Sequence, residues 1–325
     1  MEHTGVLICG HGSRDPQAAA EFEALARAVA ARLPAYATRH AFLEFARPTI
    51  AEGLDALRGL GVRRILALPA LLFAAGHVKN DIPSVLNEYA ARHPEVELRY
   101  GRALGHDPKL LRAAGDRIRA AIAAADDGEG AVPLTDTLLL TVGRGASDPD
   151  ANADMAKLGR LLWEGLGLGW GEVAYSGLTF PLVAPALARV QALGFRRIVV
   201  FPYFLFTGVL VGRVEAAAEA ARTPDGPQIA IARYLGDHPL VLATVLERLH
   251  DIEHGRTAMN CALCKYREAV LGFEDEVGLP QAAHHRHAEG GVDGGAQAHA
   301  HGHHHPYPHA DHPLGPRTLA RRRGA

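Results

Sequence analysis

Three features of the 325-residue chain predict an α/β protein made of two tandem, duplicated βα domains with parallel four-stranded sheets, followed by a disordered tail. The first is an internal repeat. Gly10-His11-Gly12-Ser13-Arg14-Asp15-Pro16 aligns with Gly143-Arg144-Gly145-Ala146-Ser147-Asp148-Pro149 at an offset of 133. Gly61-Val62-Arg63-Arg64-Ile65 meets Gly194-Phe195-Arg196-Arg197-Ile198 at that offset, as do Pro48 with Pro181 and Pro69 with Pro202. Leu104-Gly105-His106-Asp107-Pro108 meets Leu235-Gly236-Asp237-His238-Pro239 at 131, so the second copy has lost two loop residues. The second feature is periodicity: short apolar runs alternate with longer Ala/Leu/Arg stretches at helical spacing, the pattern of βα units around a parallel sheet. The third is a change of composition after residue 252, where the apolar runs stop.

In the first half the strands are expected at about 4–10, 39–45, 62–68 and 95–101, and the helices at about 16–33, 48–60, 80–92 and 107–125. Asp15-Pro16 and Asp107-Pro108 each supply an N-cap followed by a proline at the first helical position. The expected organisation is a half over 1–127 that bears the active site, a Gly- and Pro-bearing joint at 128–135, and a structural half over 136–252. A Cys-x-x-Cys element then occupies 253–280 and a histidine-rich segment 281–325.

Composition narrows the function. With 34 Lys and Arg against 36 Asp and Glu, no whole-molecule positive field is present to hold a nucleic-acid backbone. The longest uncharged apolar run, Ile198 to Gly212, contains a proline and falls short of a membrane span. The Met1-Glu2-His3 start has neither the cationic opening nor the cleavage site of a signal peptide, and three cysteines make no disulfide framework, so a cytoplasmic chain is expected. No Gly-x-x-x-x-Gly-Lys-Ser/Thr phosphate loop occurs, so ATP coupling has no seat.

Ligands of open parallel sheets bind beyond the carboxyl ends of the strands. Three polar residues fall there: His11 after the first strand, Glu44 at the end of the second and His77 in the loop after the third. Their counterparts in the second half are Arg144, Gly177 and Leu210, so that copy keeps the scaffold and none of the trio. Two imidazoles and a carboxylate suit a divalent cobalt, nickel, iron or zinc ion, and are equally serviceable as general bases near neutral pH.

The Gly10-His11-Gly12-Ser13-Arg14 start, Leu43-Glu44-Phe45-Ala46-Arg47-Pro48, the loop from Pro69 to Pro83 and the duplication together resemble the class II chelatases. Met259-Asn260-Cys261-Ala262-Leu263-Cys264 and the histidine-rich tail narrow the likeness to the long-form sirohydrochlorin cobaltochelatases. The resemblance implies a chelatase-like fold and ATP-independent insertion of Co2+ into sirohydrochlorin, an acidic tetrapyrrole, on the route to cobalamin. It matches His11 and His77 to the family's paired active-site histidines and Glu44 to the acidic residue between them. The substrate partners are then sirohydrochlorin and the divalent metal ion, with no nucleic acid and no membrane; a homodimer is left open. Ser13, Arg14, Arg47 and Lys79, neighbours of the trio in sequence, are candidate contacts for substrate carboxylates. Two alternatives stand beside this reading: a ferrochelatase of siroheme synthesis using the same trio, and a metallochaperone that binds metal without catalysis.

Cys261 and Cys264 have a spacing that lets two thiolates reach one metal, and the resemblance implies an iron–sulfur cluster there. A cluster would need ligands from a second subunit or from other residue types, because Cys9 lies in an apolar strand. A zinc or cobalt clip and a redox pair are the other options. The segment 281–325 holds ten of the 19 histidines, among them His299, His301, His303, His304 and His305, and reads as a metal store or as a biased low-complexity tail.

Overall fold

The computed structural model describes residues 4–259 and 263–278. The predicted order of elements is present. The first half runs β1 (Thr4–Gly10), α1 (Pro16–Arg32), β2 (Ala37–Phe42), α2 (Ile50–Gly59), β3 (Arg64–Pro69), α3 (Ile82–Arg92), β4 (Glu97–Tyr100) and α4 (Pro108–Glu129). The second runs β5 (Thr137–Gly143), α5 (Pro149–Leu166), β6 (Trp170–Tyr175), α6 (Val183–Gln191), β7 (Arg197–Pro202), α7 (Val209–Ala220), β8 (Gln228–Ile231) and α8 (Pro239–Glu253). Each half forms one parallel sheet, in the orders β2-β1-β3-β4 and β6-β5-β7-β8.

The N-cap reading holds for α1 and α4, where the Asp15 and Asp107 carboxylates accept the backbone N–H groups of Gln17 and Lys109. It holds for α5 through Asp148, while α8 replaces the aspartate by His238, whose Nδ1 accepts from the Leu240 N–H. Strand boundaries differ from expectation by up to three residues, β2 ending at Phe42 where about 45 was expected, and three helix boundaries differ as well. Helix α2 starts after Pro48, because Thr49 and Glu52 form a capping box that places the N-cap one residue beyond the proline. Helix α3 starts at Ile82, preceded by a π-helical turn over His77–Asp81. Helix α4 continues to Glu129 and into the segment expected to be the joint, where Gly130 at φ +97 ends it.

The packing of the two halves is not that of beads on a string. Helix α4, which ends the first half, packs on β7 and β8 of the second sheet, and α8, which ends the second half, packs on β3 of the first. Side chains record the exchange: Arg197 of β7 donates to Asp126 of α4, and Ile252 of α8 lies so close to Gly101 that a Cβ there would sit 2.5 Å from its Cδ1. The largest apolar core therefore spans both halves, joining Leu66 and Leu68 of β3, Ile118 of α4, Phe201 of β7 and Leu249 of α8. Two smaller cores cover the outer faces, one under α2 and α3, the other under α6 and α7. Buried polar contacts cross the same seam. Arg248 of α8 donates to Asp107 Oδ2 at 2.9 Å and to the Leu104 carbonyl at 2.8 Å. No helix among the described residues is long and apolar enough to cross a membrane.

Candidate active site

The site grows out of the sheet's own pairing. Beyond Gly10 and Phe42 the parallel ladder continues for two residues: the Leu43 N–H donates to the Gly10 carbonyl at 2.9 Å and the Glu44 N–H to the His11 carbonyl at 3.0 Å. His11 and Glu44 therefore leave the sheet side by side. The approach requires glycine next to His11, since Gly12 has φ +95 and a Cβ on it would lie 1.7 Å from the Glu44 carbonyl oxygen. Glu44 was expected to end the second strand; it lies just past that strand instead, because Phe45 at φ +63 turns the chain and the Ala46 N–H closes onto the Glu44 carbonyl. Leu178 at φ +59 repeats this turn in the half without the trio, so the strain belongs to the fold and not to the chemistry. Gly12→Ala is expected to push His11 and Glu44 apart and cost about 100-fold in turnover, the order of effect of a 1 Å misplacement. Steady-state kinetics on a variant with an unchanged circular dichroism spectrum would check this.

His77 enters from the π-helical turn, a distortion common at functional positions. One turn on, the Asp81 carboxylate lies 2.7 Å from the His77 Nδ1, while Asn80 Nδ2 donates to the other Asp81 oxygen at 2.9 Å. An ionised Asp81 only accepts, so Nδ1 carries the proton and Nε2 keeps its lone pair. Burial holds the His77 pKa below the ordinary histidine value against the opposing pull of Asp81, and the His11 and Arg144 charges lower it further. His77 is thus held in the neutral, ligand-ready form.

The same logic sets His11. Its Nδ1 is 2.8 Å from the Gly12 carbonyl, which can only accept, so the proton sits on Nδ1. Its Nε2 lies 3.0 Å from Glu44 Oε1. Protonated, His11 makes an ion pair with Glu44; unprotonated, the two present a nitrogen and an oxygen to a metal ion. The His11 and His77 rings meet edge-on with centroids 4.7 Å apart, and one ligand atom from each of His11, Glu44 and His77 falls within 4.8 Å of the others. All three expected side chains thus converge at one place.

Sequence reasoning passed over two neighbours. Asp81 stands four residues after His77, a spacing that brings the two side chains together once His77 lies in a helical turn and not in a loop. Replacing it with asparagine is expected to raise the KM for metal about 10- to 100-fold, the usual cost of losing a carboxylate behind a metal-binding histidine; a metal titration of initial rates measures it. Arg144, the duplicate of His11, was read as a lost ligand. It is solvent-accessible and faces the site: crowding by protein lowers its guanidinium pKa, the Glu44 carboxylate opposes that, and its own charge bears on His77. The second half, expected to be structural, therefore also supplies a cation beside the trio.

Of the expected substrate contacts, Ser13 Oγ accepts the Asp15 N–H at 3.0 Å, and exposed Arg14 lies over the Phe45 ring at 5.0 Å. Arg47 is paired with Glu52 at 2.5 Å at the start of α2. Lys79 requires a correction. It is buried, and its Nζ lies 2.8 Å from Asp148 Oδ2 and 3.0 Å from Asp150 Oδ2 at the start of α5, so it fastens the His77 turn to the second half and is not presented to a substrate.

The residues present do not fit an iron–sulfur cluster. Cys9 is buried in β1 with its thiol pushed up to about 12, Cys264 is buried near Tyr266, and Cys261 lies outside the described residues. The chain has no fourth cysteine, and no step is derived through a cluster. The tail histidines also lie outside the described residues.

The chain has relatives among known proteins. The sirohydrochlorin cobaltochelatase of Priestia megaterium is 34% identical over 272 residues, 83% of this chain and 87% of that protein. The sirohydrochlorin ferrochelatase of Bacillus subtilis is 30% identical over 248 residues, 76% of this chain and 90% of that protein. Among solved structures, SirB from Bacillus subtilis with Fe3+ superposes with a TM-score of 0.68 at 28% identity, covering 79% of this chain and 100% of its own. The CbiX family model matches twice, over residues 5–121 and 138–252, and the chain belongs to the CbiX family, with the class II chelatase fold carried in two tandem copies.

Proposed function

We propose that this protein inserts Co2+ into sirohydrochlorin without ATP, as a cobaltochelatase of cobalamin synthesis. That it is a metal chelatase of the sirohydrochlorin chelatase family rests on its membership; the choice of metal is our own reading. The observation that carries the chemistry is the convergence of His11, Glu44 and His77, one ligand atom of each within 4.8 Å of the others, with burial holding the His77 pKa below the ordinary histidine value. Both histidines hold the incoming ion through nitrogen, and Glu44 balances its charge. As the ion enters the macrocycle the pyrrole N–H protons leave, and Glu44 or His11, freed of metal, accepts them. The protein contributes by holding ion and ring in register. Arg14 and Arg144 supply cationic groups near the trio for the carboxylates of the tetrapyrrole. All of these side chains come from a single chain.

Cobalt is favoured by the cobaltochelatase relative, which matches over more of the chain than the ferrochelatases do. Iron has its own support in those ferrochelatase relatives, at 30% and 33% identity, and two imidazoles with a carboxylate suit either ion. The experiment is an anaerobic assay of initial rates by the visible-band shift of sirohydrochlorin, with Co2+ and Fe2+ compared as substrates. A kcat/KM at least about tenfold higher for Co2+, a preference of about 1.4 kcal/mol, is expected; a higher value for Fe2+ transfers the protein to the siroheme branch.

A further inference from the structure

A second group of metal-ligating side chains lies far from the trio. The last turn of α8 reads His250-Asp251-Ile252-Glu253-His254, the His-x-x-Glu-His spacing that sets two imidazoles one helical turn apart on the same face. One ligand atom from each of His250, Glu253 and His254 falls within 4.8 Å of the others, and the two rings lie with centroids 3.9 Å apart. Both histidines are exposed.

Two contacts prepare these side chains for an ion. His254 Nδ1 is 2.8 Å from the His250 carbonyl, which can only accept; the proton is therefore on Nδ1 and the lone pair on Nε2. Glu253 Oε1 accepts the Tyr36 hydroxyl at 2.7 Å, which aims the carboxylate and leaves its other oxygen for a ligand bond. Local charge favours a cation, because the turn is a helix C-terminus, where the macrodipole is negative. On the sheet side stand Arg99, whose Nη1 donates to the Glu253 carbonyl at 3.5 Å, and Arg64, whose charge bears on Tyr36; both are paired with Glu97, at 2.6 and 3.7 Å. Arg256, just beyond the helix, is paired with Asp251 at 3.1 Å. Metal bonds of about 2.0 to 2.2 Å require the three groups to draw together by about an ångström, a movement open to exposed rings at a helix end.

We propose that His250, Glu253 and His254 form a second binding site, distinct from the insertion site, for a late first-row divalent cation such as zinc or cobalt. Tyr36 precedes β2, whereas the trio lies beyond the opposite ends of the strands, so the six-residue length of β2, roughly 20 Å, separates the two sites. An ion bound here ties the end of α8 to the segment between α1 and β2, at the place where this helix crosses onto the first sheet. With one carboxylate, two imidazoles and open solvent beyond them, the site is built to hold an ion and has no crevice for a macrocycle.

The test is diethylpyrocarbonate modification of the full-length protein, followed residue by residue by peptide mass spectrometry, with free Zn2+ set by a metal buffer. Buffering prevents the tail histidines from depleting the ion. His250 and His254 are expected to become protected together, with one shared midpoint. In Glu253→Gln that midpoint moves to at least tenfold higher zinc, and in His254→Ala the modification rate of His250 no longer responds to zinc over the same range. Equal reactivity of both histidines with and without zinc would overturn the proposal, as would separate midpoints or protection of His250 that survives His254→Ala. Insertion activity does not enter the readout, so the result is independent of the cobaltochelatase reading.

Discussion

With His11 and His77 both replaced by alanine, metal insertion is expected to fall to the rate of the uncatalysed reaction. Each single replacement removes a nitrogen ligand directly. Since losing a residue that merely orients such a ligand costs about 10- to 100-fold, each is expected to cost more than about 100-fold in kcat/KM. The two losses should not multiply. The rings meet edge-on at 4.7 Å and act on one ion, so once either is gone the other holds the ion through a single bond and its removal adds little. Initial rates from the visible-band shift, at limiting and at saturating metal, separate the cases. A shortfall that saturating metal repairs marks a ligand used for capture, and one that persists marks a ligand used in transfer. A double variant that retains near wild-type turnover would remove the pair from the mechanism.

Lys79→Met is expected to cost about 3 to 5 kcal/mol of stability, the range for removing one partner of a buried ion pair. Lys79, Asp148 and Asp150 are all buried, and methionine would leave two carboxylates inside the protein without their cation. Burial acts to lower the lysine pKa, but Asp148 and Asp150 outweigh it and the net shift is upward. The sign follows: the stabilisation is fully present below the ordinary lysine pKa of about 10.4 and is lost as pH rises through the still higher value of the folded state. Urea unfolding midpoints at neutral pH measure the main effect. A lysine that served the substrate would instead raise KM and leave the midpoint in place. Adding Asp148→Asn and Asp150→Asn to Lys79→Met is expected to recover part of the loss, because neutral amides do not need the missing charge.

Much of the candidate site was legible because its residues stand at positions the fold repeats. His11, Glu44 and His77 follow consecutive strands of one parallel sheet, and strand ends are where such sheets place ligands. The comparison of one half with the other separated them from scaffold residues such as Gly12 and Gly145, which recur because both loops need positive φ. Asp81 was passed over because the helix was expected to begin at about residue 80, which leaves His77 in a loop and hides the i, i+4 spacing that brings the two side chains together. Lys79 was misread because its distance in sequence from Asp148 and Asp150 conceals that all three meet in a buried cluster.

The sequence by itself determined the two parallel sheets, the capped entries of α1 and α4, the family and the convergence of the trio, since each of these depends on neighbours along the chain or on the strand-end rule. Only the tertiary structure decided that α4 and α8 trade sheets, that Arg144 of the second copy stands beside the site of the first, and that Tyr36 braces Glu253 at the far end of α8. The physical reason is that an amphipathic helix carries in its sequence the stripe it must bury but not the identity of the surface that buries it. Two copies of one sheet offer equivalent surfaces, and the choice between them is made by packing across the whole molecule.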